Sequence, residues 1–336
     1  MSEAQLEAPA YPLDCWYVVL EGRELGPSKP IRVKRFGLDL VVWRDETGAP
    51  RAVSDRCPYR GASLSLGRVR EGAIECPFHG FRFDGEGACI KVPCNGPDQQ
   101  RPAHLATRSF PLCEHEGLIW LWWGVPREQY PDPPWFEELD VRNYAFDPMP
   151  ADCDVGWMRG AENQLDWTHL PFVHESSIGR GFPHGVTVRS VVEGDVLRTW
   201  IAEQEDEDGK PELELRYNFP NIWINPFGGE RVIGFAAFAP VDATHSRLYF
   251  RTYVKRGLVP GGAWLMAKIT NVANRWILGQ DLRVIHSQPA GDTANERDEK
   301  LVQADLPIAQ FRKEIRRRSQ PDAKLVELRA PKRKLG

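Results

Sequence analysis

The stretch Asn163-Gln164-Leu165-Asp166-Trp167-Thr168-His169-Leu170-Pro171-Phe172-Val173-His174 gathers two imidazoles and a carboxylate in a short span. A spacing of three predicts that Asp166 and His169 share one helix face. Pro171 works against a straight helix through this stretch, so His174 is expected from a bend or a second segment that swings round to meet His169. Two converging imidazoles and one distant carboxylate form a facial triad that leaves positions open on iron(II) for O2. Taken alone, such a pair reads more readily as two ordinary histidines at the rim of a core. A second constellation upstream changes that balance.

Cys57-Pro58-Tyr59-Arg60-Gly61-Ala62 is followed by Cys76-Pro77-Phe78-His79-Gly80. Two loops, each with a cysteine and a further ligand two or three residues on, can close around a [2Fe-2S] cluster, thiolates on one iron and imidazoles on the other. Tyr59 stands where an imidazole is needed. A phenol carries its oxygen at the far end of its ring and ionises at about 10. As a ligand it would need a shifted loop, and its added negative charge would lower the cluster potential. The nearest other histidines, His104 and His115, have no motif around them.

Together the two constellations resemble the Rieske non-haem iron oxygenases, whose patterns are Cys-x-His…Cys-x-x-His and Asn/Asp-x-x-Asp-x-x-His-x-x-x-x-His. The second pattern is met at Asn163, Asp166, His169 and His174; the first is met except at Tyr59. The resemblance runs from about Trp16 to about Arg317 and is closest to the branch of O- and N-demethylases and alkaloid hydroxylases. It implies a [2Fe-2S] cluster at Cys57, Tyr59, Cys76 and His79. It also implies mononuclear iron(II) at His169, His174 and Asp281, the last from Gly279-Gln280-Asp281-Leu282 on a late helix. Asp166 and Asn163 would belong to the catalytic machinery. Asp166 would bond to His169 and face His79 of the next subunit in a ring-shaped homotrimer. A carboxylate on a ligating histidine fixes its orientation and raises its basicity. His286 lies outside the motif and reads as structural.

The implied fold is α+β: a small all-β Rieske domain over residues 14–125, then a helix-grip catalytic domain over 126–336, a curved antiparallel sheet around a long helix. The chain's own patterning agrees. Trp16–Leu20 and Leu38–Arg44 read as strands, with hairpin turns at Asp45–Gly48 and Asp84–Gly87. Prolines 126, 131, 133 and 134 mark a linker or extended crossover. Helix is predicted over Gly156–Asp166, strands over 188–192, 196–203, 213–219, 221–225, 232–239 and 247–255, and helices over Gly262–His286 and Ala294–Arg318. The acidic run Glu203–Gly209 reads as a solvated hairpin tip. Arg316-Arg317-Arg318 suits the negative end of a helix dipole.

A length of 336 residues suits two domains. The net charge of -4 gives no reason to expect a nucleic acid or membrane partner. No apolar run is long enough to span a bilayer, and the polar opening Met1-Ser2-Glu3-Ala4-Gln5 is not a secretory signal. Seven cysteines without a tight framework predict a reducing cytoplasm. The leading expectation is a terminal oxygenase, a mono- or dioxygenase that hydroxylates or oxidatively demethylates a small aromatic or alkaloid-like molecule. A Gly-x-Gly-x-x-Gly motif is lacking, so electrons would come from a separate ferredoxin or flavin reductase. Phe219, Trp223 and Phe227 are candidate walls of the substrate site. Tyr59 keeps a second reading open, a cluster-less, redox-silent homologue acting as a small-molecule-binding or assembly subunit.

Overall fold

The computed structural model describes residues 11–96, 103–206, 209–294 and 298–320. Its first part is built from short antiparallel strands: β1 (Cys15–Glu21), β2 (Ile31–Arg35), β3 (Leu38–Arg44), β4 (Pro50–Ser54), β5 (Arg68–Arg70), β6 (Ala73–Glu75), β7 (Arg82–Phe83), β8 (Cys89–Lys91), β9 (Ser109–Phe110), β10 (Leu112–His115) and β11 (Leu118–Trp123). They form sheets in the orders β1-β11-β10, β2-β3-β4-β9 and β5-β6-β7-β8. Both expected hairpin turns are present and work alike. The Asp45 carboxylate accepts the N–H groups of Thr47 and Ala49, and that of Asp84 accepts those of Glu86 and Ala88.

The second part holds one seven-stranded antiparallel sheet, ordered β12-β19-β18-β16-β15-β14-β13. Its strands are β12 (Tyr144–Cys153), β13 (Val188–Glu193), β14 (Val196–Ile201), β15 (Leu215–Asn218), β16 (Ile222–Asn225), β18 (Val232–Pro240) and β19 (Ser246–Lys255), with β17 (Phe227–Glu230) beside them. The helices are α1 (Trp157–Leu165), α2 (Leu170–Val173), α3 (Gly262–Ile285) and α4 (Leu306–Ser319). The long helix α3 packs on β12 and β19, as a helix-grip fold requires. Alternation along β16 sends Ile222 and Ile224 into one core and turns Trp223 into another.

Two elements differ from the sequence expectation. Strand β12 is not predicted by the pattern because Pro148 and Pro150 interrupt it; its edge position is where prolines are tolerated. Helix is absent from residues 298–302, and α4 starts only at Leu306, with residues 295–297 outside the description. Pro307 would cost an interior hydrogen bond in the longer helix but is harmless in a first turn. The acidic run does turn as a hairpin tip: Glu205 and Pro211 form an antiparallel bridge and the Asp206 N–H bonds the Lys210 carbonyl, while Glu207 and Asp208 lie outside the description.

The proline-rich crossover is not a free linker. Phe136 and Leu139 are buried in a core with Trp16, Val18, Leu118, Trp120 and Trp122 from the first part and Ile222, Phe235, Tyr249 and Tyr253 from the large sheet. Polar bonds reinforce this seam. Arg251 is fully buried and donates to Glu21 at 2.9 and 2.7 Å and to the carbonyls of Glu116 and Gly117 at 2.8 and 2.9 Å. Asn221 bonds both the N–H and the carbonyl of Val18.

Candidate active site

Helix α1 ends at Leu165, and Asp166 is its C-cap in an extended conformation. His169 is the N-cap of α2, and Pro171 sits in that short helix's first turn. Asp166 and His169 therefore do not share a helix face, and Pro171 opens a helix instead of ending one. His174 closes α2, so the two imidazoles come from its two ends, with ring centroids 5.2 Å apart. Asp281, buried on α3, reaches between them: its Oδ1 is 2.9 Å from His174 Nε2 and 3.5 Å from His169 Nε2.

The three ligand atoms lie within 4.8 Å of one another, the only such His/Cys/Asp/Glu group among the described residues. One ion can be held by this set, and two neutral donors with one carboxylate suit iron(II). Burial works against the Asp281 carboxylate, but the nearby His169 ring and the hydrogen bond with His174 outweigh it and hold the group at about 2. Burial also opposes charge on His169, yet Asp166 and Asp281 raise it to about 9.

The surroundings orient these ligands. Gln280 Oε1 lies 2.9 Å from His174 Nδ1 and accepts the Ser177 hydroxyl at 2.7 Å, which leaves His174 Nε2 facing Asp281. The residue before a ligand carries no motif signal, and this role is invisible in the sequence. Asp166 holds Thr168 through its N–H and hydroxyl, both at 2.7 Å, while its other oxygen stands 3.5 Å from His169 Nδ1. That separation is too long for a hydrogen bond. Asn163 lies on α1 with its Nδ2 buried and unpartnered. Its neighbour Glu162 is locked by Arg312 and by the Thr293 hydroxyl, tying α1 to α4.

Asp281 also lines a cavity of about 520 Å³ between the large sheet and α3. Trp223 and Phe227 are on its wall, but Phe219 instead packs against Tyr217 and Phe311. His286 is exposed beyond α3, and His115 packs against Trp135.

In the first part, the two cysteine loops are near copies. Gly61 N–H returns to the Cys57 carbonyl and Gly80 N–H to that of Cys76, and both glycines have positive φ. The two thiols are buried side by side. Burial pushes the Cys57 thiol up, Cys76 adds to that push, and the backbone N–H of Tyr59 opposes it. With His79 the thiols do not make a compact single-ion set. The fourth place is filled by Tyr59, half-exposed, stacked on Phe81 at 4.9 Å and edge-on to His79 at 5.2 Å. Cys57, Cys76 and His79 thus suit a two-iron cluster, whereas Tyr59, held by its ring in an aromatic stack, does not.

A domain with paired cysteine loops joined to a helix-grip sheet bearing a two-histidine, one-carboxylate site defines a class, and comparisons agree. Residues 15–111 match the Rieske [2Fe-2S] domain, and residues 153–320 match the vanillate O-demethylase oxygenase C-terminal domain. The chain belongs to the Rieske non-haem iron oxygenases, a family that implies a [2Fe-2S] cluster and mononuclear iron. It is 31% identical over 249 residues to the 3-chlorobenzoate-3,4-dioxygenase oxygenase subunit of Comamonas testosteroni, covering 70% of this chain and 57% of the relative. It is 33% identical over 288 residues to cholesterol 7-desaturase of Bombyx mori, covering 79% and 57%. The chain therefore spans little more than half the length of these two relatives. Among solved structures, it resembles dicamba monooxygenase bound to dicamba with a TM-score of 0.76 at 23% identity, covering 94% of this chain and 98% of that one. NdmA of Pseudomonas putida CBB5 with caffeine gives 0.75 at 24%, covering 90% of each chain. At such identities the likeness speaks for the fold alone. Among the described residues, no helix is long and apolar enough to cross a membrane.

Proposed function

We propose that this chain is the terminal oxygenase of a multicomponent system, hydroxylating or oxidatively demethylating a small aromatic or alkaloid-like molecule with O2. The observation that carries this reading is the convergence of His169, His174 and Asp281 beside a half-open, largely apolar cavity that Asp281 lines. Iron held there would supply O2 activation. Gln280 fixes the His174 ring, and Asp281 joins the ligand set to the substrate space. Electrons would come from a ferredoxin or flavin reductase.

A homotrimer is part of the proposal. Tyr59, Leu66 and Phe78 form an exposed apolar rim around the cysteine loops, and Phe172 is exposed on α2 beside His169. These surfaces suit a neighbour docking His79 toward Asp166. Among the described residues no disulfide is formed, which supports a reducing compartment such as the cytoplasm.

Tyr59 supports the second reading, a redox-silent binding or assembly subunit. Iron and acid-labile sulfide content, a visible spectrum and substrate-dependent oxygen uptake with a surrogate reductase separate the two. Iron bound at His169, His174 and Asp281 with oxygen uptake upholds the oxygenase; no iron and no uptake even in Tyr59→His upholds the other.

A further inference from the structure

Helix α3 is apolar on two sides. Its inner side buries Ala267, Asn271, Asp281 and Ile285 and packs on the large sheet, and Ile277 and Leu278 line the cavity. The opposite side carries Leu265, Ile269, Val272 and Trp276, at the intervals of four, three and four that keep side chains on one helix face. Each of these is more than half exposed, and so is Met266 beside them. On the loop leading into the helix, Leu258 is fully exposed and Val259 largely so. A helix that is hydrophobic all round is ordinarily buried. Here about 16 Å of it, from Leu265 to Trp276, faces water.

The charges beside this stripe have one sign. From Lys255 to Gln280 the sequence contains Lys255, Arg256, Lys268 and Arg275 but no aspartate or glutamate, an excess hidden by the net charge of -4 for the whole chain. Lys255 pairs with Glu230. Arg256, Lys268, Arg275 and, further along α3, Arg283 are exposed and have no carboxylate partner among the described residues. Lys268 rests instead on the Trp264 ring, 4.1 Å from its centre. Exposed arginines elsewhere, such as Arg32, Arg142 and Arg317, are paired. Lys268 and Arg275 are seven residues apart and so share one flank of the stripe.

We infer that α3 docks the protein on an anionic lipid surface. The helix would lie in the plane of the headgroups, with Leu265, Ile269, Val272 and Trp276 turned toward the acyl chains and Leu258 and Val259 dipping in at its leading end. Lys268 and Arg275 would meet lipid phosphates, and Trp264 and Trp276 are of the type that settles at headgroup level. A second copy of the chain would cover the stripe but would set Lys268 and Arg275 against their own like charges. A protein partner is ordinarily met by about one hydrogen bond per 100–200 Å² of interface. The four stripe residues offer only the Trp276 N–H. None of them belongs to the metal ligands or the cavity wall, so docking does not rest on the oxygenase reading.

The test is co-sedimentation of the full chain with vesicles. Phosphatidylcholine vesicles containing about 30% phosphatidylserine should bind it, less tightly as salt rises, and phosphatidylcholine alone should bind it about tenfold more weakly or worse. Lys268→Gln with Arg275→Gln should lower affinity for the charged vesicles about thirtyfold. Ile269→Gln with Val272→Gln should lower it about tenfold or more. All four side chains are exposed, so both double variants should keep the fold, which circular dichroism checks. The inference is overturned if the charged vesicles do not bind the chain, if phosphatidylcholine alone binds it equally well, or if either double variant binds like the parent. Light scattering reads the rival occupant. An assembly that Ile269→Gln with Val272→Gln breaks down, in a parent that binds no vesicles, makes this face a contact between copies and overturns the lipid assignment. Iron content and oxygen uptake are read separately, so a chain that holds iron and consumes oxygen but ignores vesicles refutes docking and leaves the oxygenase reading standing.

Discussion

Asp166 and His169 stand close without being bonded: the nearest carboxylate oxygen is 3.5 Å from Nδ1, and its twin is engaged by Thr168. A small rotation would bring the carboxylate onto the ring. Asp166→Asn keeps the size and the Thr168 bonds but loses the charge. It is expected to retain iron and fold while oxygen uptake falls at least about tenfold, the scale of an outer partner of a metal-ligating histidine. Iron analysis and an oxygen electrode check this, and unchanged uptake contradicts it.

His169→Ala removes one of three ligands from the only compact set among the described residues. Mononuclear iron should be lost while cluster absorbance stays as in the parent protein. Iron stoichiometry beside the visible spectrum decides, and retention of iron with full turnover refutes the ligand assignment.

Gln280→Leu should act more mildly. The His174 ring loses the acceptor that fixes its tautomer, and iron affinity should drop by roughly 10–100-fold without global destabilisation. Competition with a graded chelator measures it. An unchanged affinity would mean that Ser177 and the α2 backbone suffice to place the ring.

Tyr59→His tests the mismatch in the first domain. The unmodified chain is expected to show weak or labile cluster absorbance, because three suitable ligands remain and the tyrosine ring is stacked on Phe81. The histidine variant should gain iron and sulfide together. A full-strength cluster in the unmodified chain, or none in the variant, would go against this.

Glu21→Gln leaves the Arg251 guanidinium without its counter-charge at full burial. Breaking one side of such a pair costs about 3–5 kcal/mol, which urea denaturation would register as a lowered midpoint. A loss below about 1 kcal/mol would mean that the Glu116 and Gly117 carbonyls suffice, the range of an ordinary exposed pair.

Much of the site was legible because ligands must be particular residue types at particular spacings. Cys57, Cys76, His79, His169 and His174 stand at such spacings, Asp281 is reached only through the family resemblance, and Tyr59 stands out by failing the pattern. What escaped notice depends on tertiary partners. Gln280 matters only because α2 comes to lie against α3. The shared helix face for Asp166 and His169 failed because Asp166 spends itself on Thr168 at the helix end. Elements were misread where proline has two meanings. Pro148 and Pro150 hid a ten-residue edge strand, and Pro307 marked a beginning inside a stretch that looked continuous.

The seam shared by Trp16, Trp120, Ile222 and Tyr249 bears on how the chain is made. On a ribosome, the cysteine-loop domain emerges first, while the strands that cover its tryptophans lie about a hundred residues downstream. Until Ile222 to Tyr253 arrive, that half presents an uncovered aromatic face and the lone carboxylate of Glu21. Expressed by itself as residues 14–125 it should therefore be sticky and short-lived, a half-built wall that only the later strands make into a surface with an inside.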